Sequence, residues 1–333
     1  MRNLITDVPG VLVGNAADVG VGSGATTVIF EEPVVASSLV IGRASAGYDL
    51  GSQDLEATQD YVDAVVLSGG AVYGRDAAAG VRAWLREQGR GTAIRSVRVP
   101  IVWGASCSDL HNGGNKHWDR YSPYRELGYT AAGTAGAHFA LGTAGGGYGA
   151  TTFDLKGGLG SASVLTSSGF VVAALVVVNP IGSAVVAGGP HFWAAPFEED
   201  NEFGGLGFPP RINTKQSRPQ WKPGPDLGST LAVVATDATL DKEGCRKMAV
   251  SAYGGLAKAM TLAHALMDGD TVFAAATARK PLVNPMTDII ELCAASSSCL
   301  ARAVARGVYE ATALPYPNSP VSWRDVFDKR SSP

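Results

Sequence analysis

Apolar and polar positions follow one another in short blocks along the chain, and each block predicts one element of regular structure. Five blocks are short and rich in β-branched and other apolar residues, which is typical of strands. They cover residues 26–30, 63–70, 98–104, 170–179 and 230–237. Three longer blocks repeat apolar residues with helical spacing, over residues 76–89, 243–268 and 286–310. Because the helices bracket a strand-rich middle, the pattern predicts an α/β protein with helices packed outside one or two sheets.

Residues 193–228 follow neither spacing. This segment holds six of the 18 prolines of the chain. A stretch of that length without periodicity inside a compact domain is usually a functional or flexible loop. Its last residues run directly into the predicted strand at 230–237, so we interpret the segment as a linker between two pieces of one domain.

Composition excludes several classes of partner. Of the 333 residues, 46% are hydrophobic and 17% are charged, and the net charge is −3, which gives no reason to expect nucleic acid or an anionic membrane surface. The first residues lack the pattern of a secretory leader, and no apolar run approaches the roughly 18–20 residues of a spanning helix. Four cysteines and five histidines show no metal-ligand spacing. We therefore expect a cytoplasmic protein with reduced thiols and no metal or cofactor.

Gly228-Ser229 stands where the proline-rich segment meets the predicted strand. A serine at such a junction can attack the preceding carbonyl, and the exposed residue then offers both a hydroxyl nucleophile and its own α-amine as base. Glycine before it would allow a strained turn. Gly-Ser before a strand is also a common turn, and Asn213-Thr214 is a competing cut site, although no strand follows it.

Other polar residues lie at the ends of apolar blocks. Asp268 and Asp270 flank Gly269 before a strand-like run, where two carboxylates can project to one face of an extended chain and orient an amine. A surface turn and a calcium loop are the alternatives. Asn179 ends the strand block at 170–179 and could donate to an oxyanion, or simply open an Asn-Pro turn.

Residues 142–163 are dense in glycine, which suggests a nucleotide loop at first sight. They lack the strand–GxGxxG–helix context, and the chain has no GxxxxGK[ST] motif. Lys156 in this stretch is either a cation that supports a base or a solvated lysine in a turn.

Together these motifs resemble the P1 peptidase family, the L-aminopeptidase/D-esterase/amidase group that includes nylon-oligomer hydrolases. The resemblance covers nearly the whole chain. Its most specific segments are "LSGGAVYGRDAA" and "GSTLAVVATDA", supported by "GVLVGNAAD", "KGGLGSAS", "VVVNPIG" and "MDGDTVFA". The last of these, with "SAGYDL" at residues 45–50, is closer to the nylon-oligomer branch.

The resemblance implies a function and a fold. It implies autocatalytic cleavage between Gly228 and Ser229, with Ser229 as nucleophile, Asn179 in the oxyanion hole and Asp268 and Asp270 as the acidic pair. The fold implied is a four-layer αββα sandwich, similar in layering to N-terminal-nucleophile hydrolases. It would form one domain over residues 1–333, cut into fragments 1–228 and 229–333, with 193–228 as the processing loop.

The resemblance also implies substrates and assembly. The substrates would be short peptides, amino-acid amides or esters, or ω-amino-acid oligomers, and the αβ units would form homo-oligomers. Many relatives carry a lysine in a pattern like "GATVGK", whereas this chain has "GATTFD", with Lys156 two residues later. Since that offset keeps a side chain on the same face of a strand, Lys156 is the candidate replacement.

Two other functions remain open from the sequence. One is an acyltransferase of the ornithine-acetyltransferase type, which shares the self-cleavage but carries a threonine nucleophile. The other is a non-catalytic relative that keeps the fold as a binding module.

Overall fold

The computed structural model describes residues 1–42, 47–48, 57, 61–212, 215, 218–223, 228–317 and 319–328. These ranges contain eleven strands: β1 (Val11–Asp18), β2 (Ser23–Val40), β3 (Gly47–Tyr48), β4 (Tyr61–Ser68), β5 (Thr92–Ile94), β6 (Val97–Val99), β7 (Val102–Ser106), β8 (Gly158–Leu165), β9 (Val171–Val178), β10 (Leu231–Ala238) and β11 (Thr271–Lys280). They also contain five α-helices: α1 (Ala77–Glu87), α2 (Tyr124–Gly133), α3 (Lys242–Ala259), α4 (Pro285–Tyr309) and α5 (Trp323–Phe327).

The long strand β2 belongs to both halves of the main sheet. Its residues 25–29 pair antiparallel with β4, and its residues 35–40 pair antiparallel with β11. The strand order is β3-β7-β4-β2-β11-β10-β9-β8, with β1 also paired to β2. Side chains from the two halves meet in one buried cluster, which includes Leu67 of β4 and Val233 of β10. The two halves therefore lie face to face.

Two further buried clusters lie on the outer faces of these halves. α1 and α2 pack on the first half through Val81 and Leu127. α3 and α4 pack on the second half through Met248 and Val304. Three core layers thus separate four layers of secondary structure, which confirms the predicted αββα sandwich.

β10 is buried on both faces, which explains its nearly continuous apolar sequence. Leu231, Val233 and Ala235 point into the cluster between the sheet halves, while Ala232 and Val234 point toward the helices. β9 runs antiparallel to β10 and β11 runs parallel to it. The end of β9 and the starts of β10 and β11 therefore meet at one edge of the sheet.

Two elements are shorter than their sequence patterns indicated. The strand predicted over residues 98–104 is interrupted at Pro100, between β6 and β7, because proline has no N–H to donate to a sheet. The helix predicted over residues 243–268 ends at Ala259. The predicted boundaries of these two elements are therefore wrong.

One strand lies inside the stretch that the sequence indicated as glycine-dense turns. β8 begins at Gly158 and pairs antiparallel with β9. A Cβ on Gly160 would lie 1.9 Å from the carbonyl oxygen of Ala303 in α4. Glycine at this position therefore lets the helix approach the sheet closely.

The described part of segment 193–228 has little regular structure. It contains one 3-10 turn, Ala195–Phe197, and buries Phe203. Asn213-Thr214 and most of the motif at residues 45–50 lie outside the described residues. No helix in the described ranges is both long and apolar enough to cross a membrane.

Candidate active site

Ser229 lies at the edge where β9, β10 and β11 meet. Its N–H donates to the carbonyl oxygen of Asn179, which follows β9, at 2.9 Å. The next residue, Thr230, donates its N–H to Oδ1 of Asp270 at 2.7 Å. Gly228 forms a β-bridge with Asp268. The fold thus brings together four of the five residues predicted as catalytic and the predicted cleavage site.

The hydroxyl of Ser229 faces the bond that would be cut. Its Oγ donates to the carbonyl oxygen of Gly228 at 2.5 Å. The N–H of Gly269 lies 3.3 Å from the same carbonyl oxygen and 3.2 Å from Ser229 Oγ. The neighbouring hydroxyl of Thr230 points instead to the sulfur of Met260. Of the two hydroxyls at this junction, Ser229 therefore carries the one that meets the scissile carbonyl.

Gly228 is held by close contacts. A Cβ here would lie 2.1 Å from Oδ1 of Asp268 and 2.5 Å from the backbone nitrogen of Ile181. Its φ is not in the left-handed region. Glycine is therefore not needed here for a left-handed backbone, and the close approach of Asp268 is the reason that glycine fits.

Both members of the acidic pair are completely buried, which rules out a surface turn. Asp270 Oδ2 accepts from the N–H of His264 at 3.0 Å and lies 3.3 Å from its ring Nδ1. Asp268 Oδ1 accepts from the N–H of Ile181 at 3.3 Å. Among the described residues, Asp268 Oδ2 has no hydrogen-bond partner. Burial, with the negative charge of Asp270 adding to it, raises the pKa of Asp268 to about 7.

The Asn179 side chain is buried and fixed on two sides. Its Oδ1 accepts from the N–H of Thr151 at 2.9 Å, and its Nδ2 donates to the carbonyl oxygen of Ser108 at 3.0 Å. Since its own carbonyl also holds the N–H of Ser229, the residue is more than a turn opener: it connects β9 to the nucleophile.

Lys156 is fully buried, which excludes the solvated lysine considered from the sequence. Its Nζ donates to the carbonyl oxygens of Gly147, Ala150 and Gly157 at 2.8 to 2.9 Å. Burial lowers the pKa of this ammonium group to about 7. The Lys156 ammonium group thus binds backbone carbonyls of the glycine-rich segment that precedes Thr151.

A cavity of about 200 Å³ is lined by residues that hydrogen-bond to the Asn179 side chain. Its lining includes Ser108 and Thr151, the two residues bonded to the Asn179 side chain, and also Phe153 and Lys222. In the described part of the chain, no group of three or more His, Cys, Asp or Glu residues could hold a metal ion. The chemistry that this arrangement supports is acyl transfer by a serine hydroxyl.

The sequence did not indicate three groups of this site. The N–H of Gly269 is a main-chain group, and only its position between two aspartates could have suggested it. His264 is one of the five histidines without metal-ligand spacing, and no other pattern in the sequence indicates its contact with Asp270. Lys222 lies in the proline-rich segment with no motif around it.

The chain is similar to known proteins over almost its whole length. An uncharacterized aminopeptidase of Mycobacterium tuberculosis is 37% identical, with 98% of each chain covered. One of Mycobacterium leprae is also 37% identical, over 94% of this chain and 91% of its own. Among solved structures, a Burkholderia beta-aminopeptidase matches with a TM-score of 0.68 at 19% identity, covering 97% of this chain and 91% of its own.

A second solved structure matches the fold equally well. It is the L-aminopeptidase D-Ala-esterase/amidase of Ochrobactrum anthropi, described as a new variant among the Ntn hydrolase fold, with a TM-score of 0.67 at 18% identity. The match covers 96% of this chain and 90% of that one. The sequence profile of peptidase family S58 matches residues 3–320. The family match favours a hydrolase over the acyltransferase and the binding module, and the chain belongs to peptidase family S58.

Proposed function

We propose that the chain cuts itself between Gly228 and Ser229 and then hydrolyses amides with Ser229 as an N-terminal nucleophile. The fragments 1–228 and 229–333 would remain parts of one domain, with 193–228 as the processing loop. The observation that carries the proposal is the 2.5 Å contact between Ser229 Oγ and the carbonyl oxygen of Gly228.

Self-cleavage would begin with attack of Ser229 Oγ on the carbonyl carbon of Gly228. The Gly269 N–H points at that carbonyl oxygen and is placed to stabilise its developing negative charge. The C–N bond then breaks, the nitrogen of Ser229 takes up the proton that Oγ loses, and an ester joins Gly228 to Ser229 Oγ. Water hydrolyses this ester, which leaves a carboxylate on Gly228 and a free amine and hydroxyl on Ser229.

The same groups would then serve the substrate. The α-amine of Ser229 takes the proton from Oγ as Oγ attacks the substrate carbonyl, and it returns a proton to the leaving amine. In the self-cleavage as well as in the hydrolysis, we assign the oxyanion to Asn179 together with the Gly269 N–H, and the holding of the Ser229 nitrogen and hydroxyl to ionised Asp268 and to Asp270. The unpartnered Oδ2 of buried Asp268 supports this assignment, because a new ammonium group beside it would supply the missing donor.

Lys156 has a supporting part in this proposal. It ties together the carbonyls of Gly147 and Ala150, and this segment leads directly to Thr151, which bonds to Asn179. That it replaces the family lysine stays a prediction from the sequence.

For substrates we propose short peptides, amino-acid amides or esters, and ω-amino-acid oligomers of the nylon type. The cavity of about 200 Å³ is small, which suits a single residue of substrate. The names of the Burkholderia and Ochrobactrum proteins, a beta-aminopeptidase and an L-aminopeptidase D-Ala-esterase/amidase, support amides and esters with a free amino end. A cytoplasmic location and a homo-oligomer of αβ units are further proposals.

Intact mass of the purified protein tests the central step. We expect two fragments that divide between Gly228 and Ser229, whereas Ser229→Ala stays whole and hydrolyses no amino-acid amide. Thr230→Val is the matched control, because it removes the neighbouring hydroxyl, which faces Met260, and it should still be cut. A wild-type chain that remains uncut after long incubation, or a Ser229→Ala chain that is cut, would contradict the proposal.

A further inference from the structure

Lys222 is buried in a segment that is otherwise largely exposed. Its own exposure is 9%, whereas the preceding Trp221 is 61% exposed. Taking an ammonium group out of water is unfavourable unless polar partners replace the water. The burial of this side chain between exposed neighbours therefore needs a specific explanation.

Its contacts lead to the residues around the nucleophile. The N–H of Lys222 donates to the carbonyl oxygen of Ile181 at 3.0 Å. Its Nζ donates to the carbonyl oxygen of Thr151 at 2.9 Å and to Oδ1 of Asn179 at 3.4 Å. The N–H of Ile181 in turn binds Asp268. Lys222 thus contacts the chain that follows β9 through both its backbone and its side chain.

We propose that Lys222 is a positioning residue for the self-cleavage and the hydrolysis assigned above, and that it acts through Asn179. Oδ1 of Asn179 receives two donors, the N–H of Thr151 and the ammonium of Lys222. Because these two donors hold Oδ1, the Asn179 carboxamide cannot flip and turn Oδ1 toward a reacting carbonyl. The inference rests on the proposed function, because the orientation of Asn179 matters only if this residue faces an oxyanion.

The charge of Lys222 also acts on the acidic pair. It favours the ionised form of Asp268, against the effect of burial and of the Asp270 charge. Among the described residues, other titratable groups near Lys222 and Asp268 include Cys107, Lys156 and the phenol of Tyr253, and Asp109 and His111 line the same cavity as Lys222. Removal of the positive charge should therefore raise the pKa of Asp268.

Three variants separate charge from hydrogen bonding: Lys222→Met loses both, Lys222→Gln keeps donors, and Lys222→Arg keeps both. The measurement is the rate of self-cleavage by intact mass between pH 5 and 9. We expect self-cleavage of Lys222→Met to be slower by at least about tenfold. On the acid side of the pH profile, its rate should begin to fall at a higher pH than that of wild type. Lys222→Gln should show the same shift of the pH profile with a smaller loss of rate. Lys222→Arg should have a rate and a pH profile close to those of wild type. Arg211→Ala, an exposed cation of the same segment, is the control and should behave as wild type.

Several outcomes would overturn the inference. If the Met and Arg variants are slowed equally and their pH profiles are unchanged, Lys222 only fills space. A faster Met variant would mean that the side chain obstructs the site. Thermal melting identifies a variant that fails to fold, and the Gln and Arg variants then carry the test. If the wild-type chain is never cut, the proposed function is contradicted. If wild type is cut and Lys222→Met is cut at the same rate, only this inference is contradicted.

Discussion

Gly228 shows how a single missing side chain can determine whether the nucleophile meets its target. In Gly228→Ala the new Cβ would lie 2.1 Å from Asp268 Oδ1, and no atom can stay that close, so the scissile carbonyl or Asp268 must move. Overpacking of this kind costs about 1–3 kcal/mol, and displacement of reacting atoms by a fraction of an ångström slows a reaction strongly. We expect self-cleavage to be at least about tenfold slower, measured as the loss of intact mass with time.

Gly136→Ala is the matched control for that change. A Cβ on Gly136 would meet no atom within 4 Å, and its φ is not in the left-handed region. Self-cleavage of this variant should match wild type. If Gly228→Ala is cut as fast as Gly136→Ala, the close approach of Asp268 to the cleavage site is not needed for the reaction.

Asp268 links stability to pH at the same site. Because burial and Asp270 raise its pKa to about 7, the folded chain keeps this proton at pH values where an unfolded aspartate, with a pKa near 3.9, has lost it. The contribution of Asp268 to the free energy of unfolding is therefore highest below about pH 4 and falls as the pH rises through 7. Asp268→Asn removes this titration while its amide oxygen can still accept from Ile181.

The expected result is a variant that gains stability as it loses function. In a Ser229→Ala background, where both chains stay whole, Asp268→Asn should resemble its parent at pH 4.5. At pH 8 it should be more stable by at least about 1 kcal/mol, measured from urea unfolding midpoints. With Ser229 restored, Asp268→Asn should not be cut. A stability difference that is constant between the two pH values would show that Asp268 is ionised in the fold throughout that range.

At the scale of elements, strands buried on both faces are the best predicted. The block at residues 230–237 predicted β10 to within one residue at each end, because its short length, its β-branched residues and the Gly and Pro before it favour a buried strand over a helix. The helix predicted over 243–268 failed at its end for a tertiary reason. Apolar residues continue beyond Ala259, but the N–H of Thr261 bonds to the carbonyl oxygen of Ser183 at 2.9 Å. No local pattern contains that contact.

The candidate site was predictable where its residues lie at strand ends. Ser229, Asn179 and Asp270 each border an apolar run, and runs that pair in one sheet bring their ends together. Lys222 and the N–H of Gly269 could not be predicted in the same way. The lysine reaches the site from an irregular segment, and a main-chain N–H carries no signature in the sequence.

At the scale of the whole molecule, the proposed cut divides the chain without dividing its core. β10 and β11 follow Ser229, and β10 pairs directly with β9, which precedes it. α4 also follows the cut, and packs with β9 residues in one buried cluster. Since the sheet of that half combines strands of both fragments, and α4 of one fragment packs on β9 of the other, the fragments should stay together under native conditions and separate only in denaturant.

Arg302 connects the two fragments through an ion pair and hydrogen bonds. From α4, its guanidinium contacts Glu202 in the segment before the cut, the carbonyl oxygen of Ser163 in β8, and the side chain of Asn3. The side chains of Arg302 and Glu202 are only 3% and 6% exposed. Loss of one partner of a buried pair is typically destabilising by about 3–5 kcal/mol, and the remaining contacts of Glu202 with Arg306 and Asn3 put this case at the lower end.

We therefore expect Arg302→Met to lower the free energy of unfolding by about 3 kcal/mol, measured by urea denaturation in the Ser229→Ala background. Lys247→Met is the matched control, because Lys247 pairs with Glu243 on the surface of α3, with both side chains more than half exposed. Its loss should cost far less, because solvent screens an exposed ion pair. In the cleavable protein, the same Arg302→Met change should make the two fragments separate at lower urea than in wild type. Equal effects of the two substitutions would mean that the buried pair does not hold the fragments together, and that the apolar contacts of α4 with the sheet suffice.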